Sequence, residues 1–108
     1  MATRKPELLP GTLEMLILKT LSRGPNHGYG IAQDIERVSE DALRIGEGSL
    51  YPALQRLLID SWVRVEWGVS ETGRKVRVYT ITAAGRKQLA REIEEFDFVL
   101  AGIARVLA

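Results

Sequence analysis

The 108-residue chain has no cysteine and a single histidine, His27. The first absence excludes disulfides, thiolate zinc sites, iron–sulfur clusters and a cysteine nucleophile. The second excludes a multi-histidine metal site. An excess of charge of one sign is missing too: 15 Lys+Arg against 14 Asp+Glu leave a formal net charge of +1. That excludes a general polycation and a disordered acidic tail. Apolar runs are broken by charge every few residues, far short of the ~20 needed to cross a bilayer. The first ten residues carry Arg4 and Lys5 but no apolar run ahead of a small-residue cleavage site, so no secretory signal is expected. The expected location is the cytoplasm.

What is present is the length of one domain with 45% hydrophobic residues, enough for one small core. Helix 1 is expected after Pro10-Gly11, with Thr12 as its N-cap and Glu14 in the first turn. Leu13, Leu16, Ile17 and Leu21 form one helical stripe, while Met15 and Leu18 lie off it. A helix apolar on two sides is buried on two sides, and in so short a chain a second subunit can cover the second side. Ser22-Arg23-Gly24-Pro25 ends the helix. Helix 2 is expected over His27–Val38, capped by Asn26, with Tyr29, Ile31, Ala32, Ile35 and Val38 inward. Ser39–Gly48 is polar and turn-rich. Helix 3 follows over Ser49–Ile59, capped by Ser49, with Pro52 in its first turn where a missing N–H costs nothing. Leu50, Leu54, Leu57 and Leu58 point inward, leaving Ser49, Tyr51, Pro52, Gln55 and Arg56 outside.

The hydrophobic period then changes from 3.6 to 2. Val63, Val65 and Trp67 alternate with Trp62, Arg64 and Glu66. After Gly68–Arg74 the alternation resumes, with Val76, Val78 and Thr80 set against Arg77, Tyr79 and Ile81. Two such runs predict an antiparallel hairpin, here with a long projecting tip. Thr82 can cap helix 4, which continues to the end of the chain, with Gly85 in its first turn permitting close packing. The fold class is thus mainly α with a small β-hairpin: a winged helix-turn-helix over residues 1–84 and a long C-terminal helix over 85–108, forming one structural unit.

In a winged helix-turn-helix the second helix of the pair enters the DNA major groove. Ser49 and the helix N-terminus suit phosphate, Gln55 and Arg56 suit base edges, and Tyr51 suits sugar or phosphate. Pro52 shares that face, and Tyr29 on helix 2 is a further candidate contact. The hairpin carries Arg64, Arg74, Lys75 and Arg77 against Glu66 and Glu71, and Arg4 with Lys5 adds a second basic patch. The balancing acids gather at Asp34, Glu36, Glu40 and Asp41, and at Glu92, Glu94, Glu95 and Asp97. On helix 4, Leu89, Ile93, Phe96, Leu100, Ile103 and Leu107 keep a heptad seam, flanked by Val99 and Val106, with Phe98 well away from it. That seam predicts a dimerisation helix and two reading helices on a palindromic site. An ordinary amphipathic helix packed on its own core would show the same spacing.

Four segments carry a family resemblance: Gly11-Thr12-Leu13-Glu14-Met15-Leu16-Ile17-Leu18, His27-Gly28-Tyr29-Gly30-Ile31, Gly48-Ser49-Leu50-Tyr51-Pro52-Ala53-Leu54-Gln55-Arg56-Leu57, and Arg77-Val78-Tyr79-Thr80-Ile81-Thr82-Ala83-Ala84-Gly85. Together they resemble the PadR family of bacterial transcriptional regulators, in its compact subgroup with one C-terminal helix. The resemblance implies a winged helix and a homodimer held by helix 4 with help from helix 1, where Met15 and Leu18 lie. It also implies repression of nearby genes, relieved by an apolar or aromatic effector. In compact members, aromatic residues at the wing base and in helix 4 flank a pocket at the dimer interface; Trp67 and Phe96 match them here, with Val99 beside Phe96. Two departures stand out: Ser61 replaces a glycine frequent after helix 3, and Leu58 replaces a frequent glutamate. The competing expectation is a winged-helix adaptor that binds protein without reading DNA. No catalytic constellation with matched spacing is present, so neither an enzyme nor a cofactor is expected.

Overall fold

The elements run α1 (Thr12–Leu21), β1 (Asn26–His27), α2 (Gly28–Val38), α3 (Glu47–Ile59), β2 (Val63–Val69), β3 (Lys75–Ile81) and α4 (Ala83–Leu107). They come from a computed structural model that describes residues 11–108; Arg4 and Lys5 lie outside the described residues. The order of three helices, a hairpin and a long helix is that of a winged helix-turn-helix. Among the described residues no helix is long and apolar enough to cross a membrane.

Both apolar sides of α1 are buried within this one chain. Ile17, Leu18 and Leu21 are enclosed, and Leu13 and Met15 are buried with them. α2, α3, α4 and β3 all pack on α1. Leu18 at 0% exposure has no surface for a second copy, which corrects its assignment to a dimer contact. From α2 the core takes Ile31, Ala32 and Ile35, and from α3 Leu50, Ala53, Leu54 and Leu57. Tyr29 and Val38, expected inward, are instead exposed. Ile45 closes the core from the α2–α3 loop, where its N–H donates to Glu36 Oε2 at 3.0 Å.

The helix starts differ from the expected caps. α1 is capped by Gly11 at φ 84, with Thr12 the first helical residue. α2 is capped by His27, whose Nδ1 accepts from the Gly30 N–H at 3.1 Å. Asn26 instead begins the two-residue strand β1, too short to show alternation in a sequence. α3 starts at Glu47, two residues early, so Pro52 falls in its second turn rather than its first. The proline leaves the Gly48 carbonyl without its helical donor, but Gly48 is exposed and water can serve it.

The sheet is antiparallel with order β1-β3-β2. Val63, Val65, Trp67 and Val69 pair with Ile81, Tyr79, Arg77 and Lys75, so all eight share one face. The inner half of that face, Val63, Tyr79 and Ile81, is core. The hairpin tip is tighter than expected. Ser70 N–H donates to the Arg74 carbonyl at 2.8 Å, and Gly73 N–H donates back to Ser70 at 2.9 Å with Gly73 at φ 80. Only Glu71, Thr72 and Gly73 lie outside that closing pair, the geometry of a short turn ending in a left-handed residue.

A compact junction ties α3 to α4. Ser61 is left-handed at φ 61, and the Ser61 and Trp62 N–H groups donate to the carbonyls of Leu58 and Leu57, both at 3.0 Å. These bonds satisfy the orphan carbonyls at the end of α3. The Ser61 and Trp62 carbonyls then accept from the hydroxyl and N–H of Thr82, at 2.8 and 3.0 Å. Thr82 caps α4 as expected, its Oγ1 accepting from Gly85 N–H at 3.0 Å. Gly85 is needed there because a Cβ would collide with the Trp62 carbonyl oxygen. Ser61→Gly is expected to raise the melting temperature by several degrees. A left-handed residue with a side chain costs on the order of 1 kcal/mol, and thermal unfolding followed by circular dichroism checks the shift.

Candidate nucleic-acid interface

The outward face of α3 is built from Ser49, Pro52, Gln55 and Ile59, all exposed. Their spacing of three and four places them in one stripe opposite the buried leucines. Ile59 is an addition to the expected set: an isoleucine reads as core in a sequence, and its exposure follows from the phase of the helix. Tyr51 and Arg56 lie on opposite flanks of this face. Tyr51 is half-exposed and packs its ring over α2, so closely that a Cβ at Gly28 would stand 3.0 Å from its hydroxyl oxygen. Tyr29 is exposed on the first turn of α2.

Arg56 is held by α1. Its Nη2 lies 2.6 Å from Glu14 Oε1, and the Glu14 side chain is only 16% exposed. By its place in the sequence Glu14 is a first-turn acid favourable to the helix dipole. Forty-two residues separate the partners, and no local pattern relates them. Base reading by Arg56 would therefore break an ion pair and strand a largely enclosed carboxylate. Gln55 has no such competing partner among the described residues.

The wing carries exposed cations at Arg64, Arg74, Lys75 and Arg77. Trp67 is 64% exposed on the same face as Arg77 and Lys75. Lys75 Nζ sits 4.9 Å and the Arg77 guanidinium 5.9 Å from the centre of an indole ring of Trp67. Burial pushes the Tyr79 hydroxyl above its ordinary value, and the neighbouring Arg77 charge opposes that rise.

A groove of about 280 Å³ lies between the start of α1 and the middle of α4, lined by Thr12, Met15, Glu92, Glu95, Phe96 and Val99. Phe96 and Val99 line it from α4 and Met15 from α1. Trp67 does not line this groove; it stands on the wing. Glu92 Oε1 accepts from Gln88 Nε2 at 3.2 Å, whereas its buried Oε2 has no partner among the described residues. Burial raises the Glu92 carboxyl above the ordinary 4.5, the Gln88 bond opposes this, and Glu14 and Glu95 add to the rise. The α4 seam divides at this groove. Leu89 is buried in the chain's own core and Ile93 packs against it, so these two are spent within the protomer. Phe96, Leu100, Ile103 and Leu107 stay exposed.

A helix pair with an outward second helix, followed by a basic hairpin, defines a winged helix-turn-helix DNA-binding protein. The chain belongs to the transcriptional regulator PadR-like family, whose model matches residues 17–91. This is a family of transcriptional regulators, not of enzymes. The chain is similar to an uncharacterised 37.1 kDa protein in transposon TN4556 of Streptomyces fradiae, 47% identical over 79 residues. That match covers 73% of this chain but 21% of the relative, so the chain spans about a fifth of that protein's length. Among solved structures it is similar to a transcriptional regulator from Clostridium thermocellum, at 28% identity and a TM-score of 0.81, covering 88% of this chain and 92% of the other. It is also similar to a PadR family transcription regulator from Clostridium difficile, at 25% identity and a TM-score of 0.77, covering 91% of this chain and all of the other.

Two predictions concern the carboxylates. A double-mutant cycle of Glu14→Gln and Arg56→Ala, read by urea unfolding, is expected to give a coupling of about 1 kcal/mol, the upper range for a partly exposed pair. For Glu92, a raised value in the fold means that the folded chain binds more protons than the unfolded one in the window above 4.5. Stability therefore falls as pH rises through that window. Glu92→Gln is expected to raise the melting temperature at neutral pH and to flatten that part of the pH profile, both measurable by scanning calorimetry.

Proposed function

We propose that the chain acts as a cytoplasmic, homodimeric DNA-binding repressor that binds a palindromic operator and is released by an apolar or aromatic small molecule. In this reading residues 1–84 read DNA through α3 and the wing, and residues 85–108 join two copies. Ser49, Pro52 and Gln55 face the major groove, Tyr29 and Tyr51 stand at its edge, and Arg74, Lys75 and Arg77 meet phosphate. Met15, Phe96 and Val99 form one side of the effector site, completed by the second copy.

The observation that carries the reading is the unpartnered outer half of α4. Leu100 is 51% exposed and Leu107 79% exposed, with Phe96, Val99, Ile103 and Val106 open beside them. A contiguous apolar face of this kind marks an association surface, and heptad spacing suits a second helix of the same kind. Two-fold pairing would present two α3 helices to DNA, so operator symmetry would mirror protein symmetry.

The double substitution Leu100→Glu and Ile103→Glu is expected to convert a sedimenting dimer into a monomer that keeps its melting transition, because neither residue belongs to the protomer core. Selection of bound fragments from genomic DNA is expected to return an inverted repeat for the wild type and not for the monomer. A wild-type monomer, or recovered DNA without dyad symmetry, would overturn the dimeric repressor.

A further inference from the structure

We propose that Trp67 is a positioning residue of the DNA interface, holding Lys75 and Arg77 as a fixed pair of phosphate-binding cations. The inference rests on the DNA-binding reading above and assigns the phosphate contact to a particular three-residue device. Lys75 Nζ lies 4.9 Å and the Arg77 guanidinium 5.9 Å from a ring centre of Trp67. Trp67 pairs directly with Arg77 across the two strands, and Lys75 follows on the same face through its pairing with Val69. Glu66 points to the opposite face by strand alternation, because it pairs with Val78. The face therefore carries two cations and no acid.

The manner of restraint matters for what these cations can do. The two ion pairs among the described residues join Arg37 to Asp34 and Arg56 to Glu14, so those guanidiniums are held by groups that also neutralise them. Lys75 and Arg77 are held by an aromatic ring, which restricts their rotamers while leaving the charge intact. A cation for phosphate needs both properties: full charge, and little side-chain entropy left to lose on binding. An indole that is 64% exposed adds almost nothing to the core, so its place on the wing is explained by what it holds. DNA is the occupant that fits, since its backbone supplies closely spaced phosphates to a positive face.

The test is titration of the full chain against a labelled random-sequence duplex and against its selected operator, each across a range of salt. Trp67→Ala is expected to weaken binding to both about three- to tenfold while leaving the salt dependence almost unchanged, because the cations remain. Lys75→Ala should instead lower the salt dependence by about one ion. Trp67→Phe, which keeps a ring, should restore most of the affinity and guards against misfolding of the alanine variant. In a Lys75→Ala/Arg77→Ala background, replacing Trp67 should have no further effect. Wild-type affinity in Trp67→Ala, or a loss that persists without the two cations, would overturn the positioning role while leaving DNA binding intact. A wild type that binds neither duplex would overturn the DNA-binding reading and this inference with it.

Discussion

The enclosure of α1 on both of its apolar sides is the constraint on which the rest of the molecule depends. Ile17, Leu18 and Leu21 leave no exposed stripe, so every other layer takes its position from this helix. α2 and α3 pack on it, β3 covers it, and the first half of α4 lies along it. Close-packed side chains transmit position. The outward face of α3 is therefore fixed relative to the wing and to the groove beside Met15, although these sites share no residue. The Glu14–Arg56 pair adds a polar tie between α1 and α3.

A net charge of +1 conceals how differently the cations are employed. Arg56 neutralises a largely enclosed carboxylate and ties α3 to α1. Arg37 is spent on Asp34 along its own helix. Arg74, Lys75 and Arg77 stand on the wing without an acidic partner among the described residues, two of them restrained by Trp67. Counting charges cannot separate these roles, because each is decided by what the guanidinium or ammonium meets in space. The same holds for the acids: Glu92 lines a groove with an unpartnered oxygen, whereas Glu36 pins the loop that carries Ile45 into the core.

Periodicity made most of the fold legible. The three helices, the change to a period of two and the long last helix all follow from spacing in the chain, and Thr82 and Gly85 played the local parts expected of them. Errors fell where competing local options are nearly equal in energy. Asn26 and His27 can each cap α2; His27 does so, while the Asn26 Oδ1 accepts from the His27 N–H instead. Ser49 and Gly46 can each begin α3, and the longer helix tolerates Pro52 because the carbonyl it frees is exposed. At the site, the face of α3 was legible from its phase, whereas the sequestering of Arg56 and the gathering of Lys75 and Arg77 around Trp67 were not. An ion pair across forty-two residues leaves no periodic trace.

By itself the sequence determined the class of fold, the face that α3 turns outward, the basic character of the wing and the seam along α4. Each of these is a property of neighbours within a turn or a strand, set by the geometry of the backbone. Only the tertiary structure decided that Leu18 and Leu89 belong to the protomer's own core, that the open part of the seam begins at Phe96, and that Trp67 stands on the wing beside Lys75 and Arg77. Those outcomes depend on which surfaces other elements cover, and burial is a relation between distant segments that no local spacing contains.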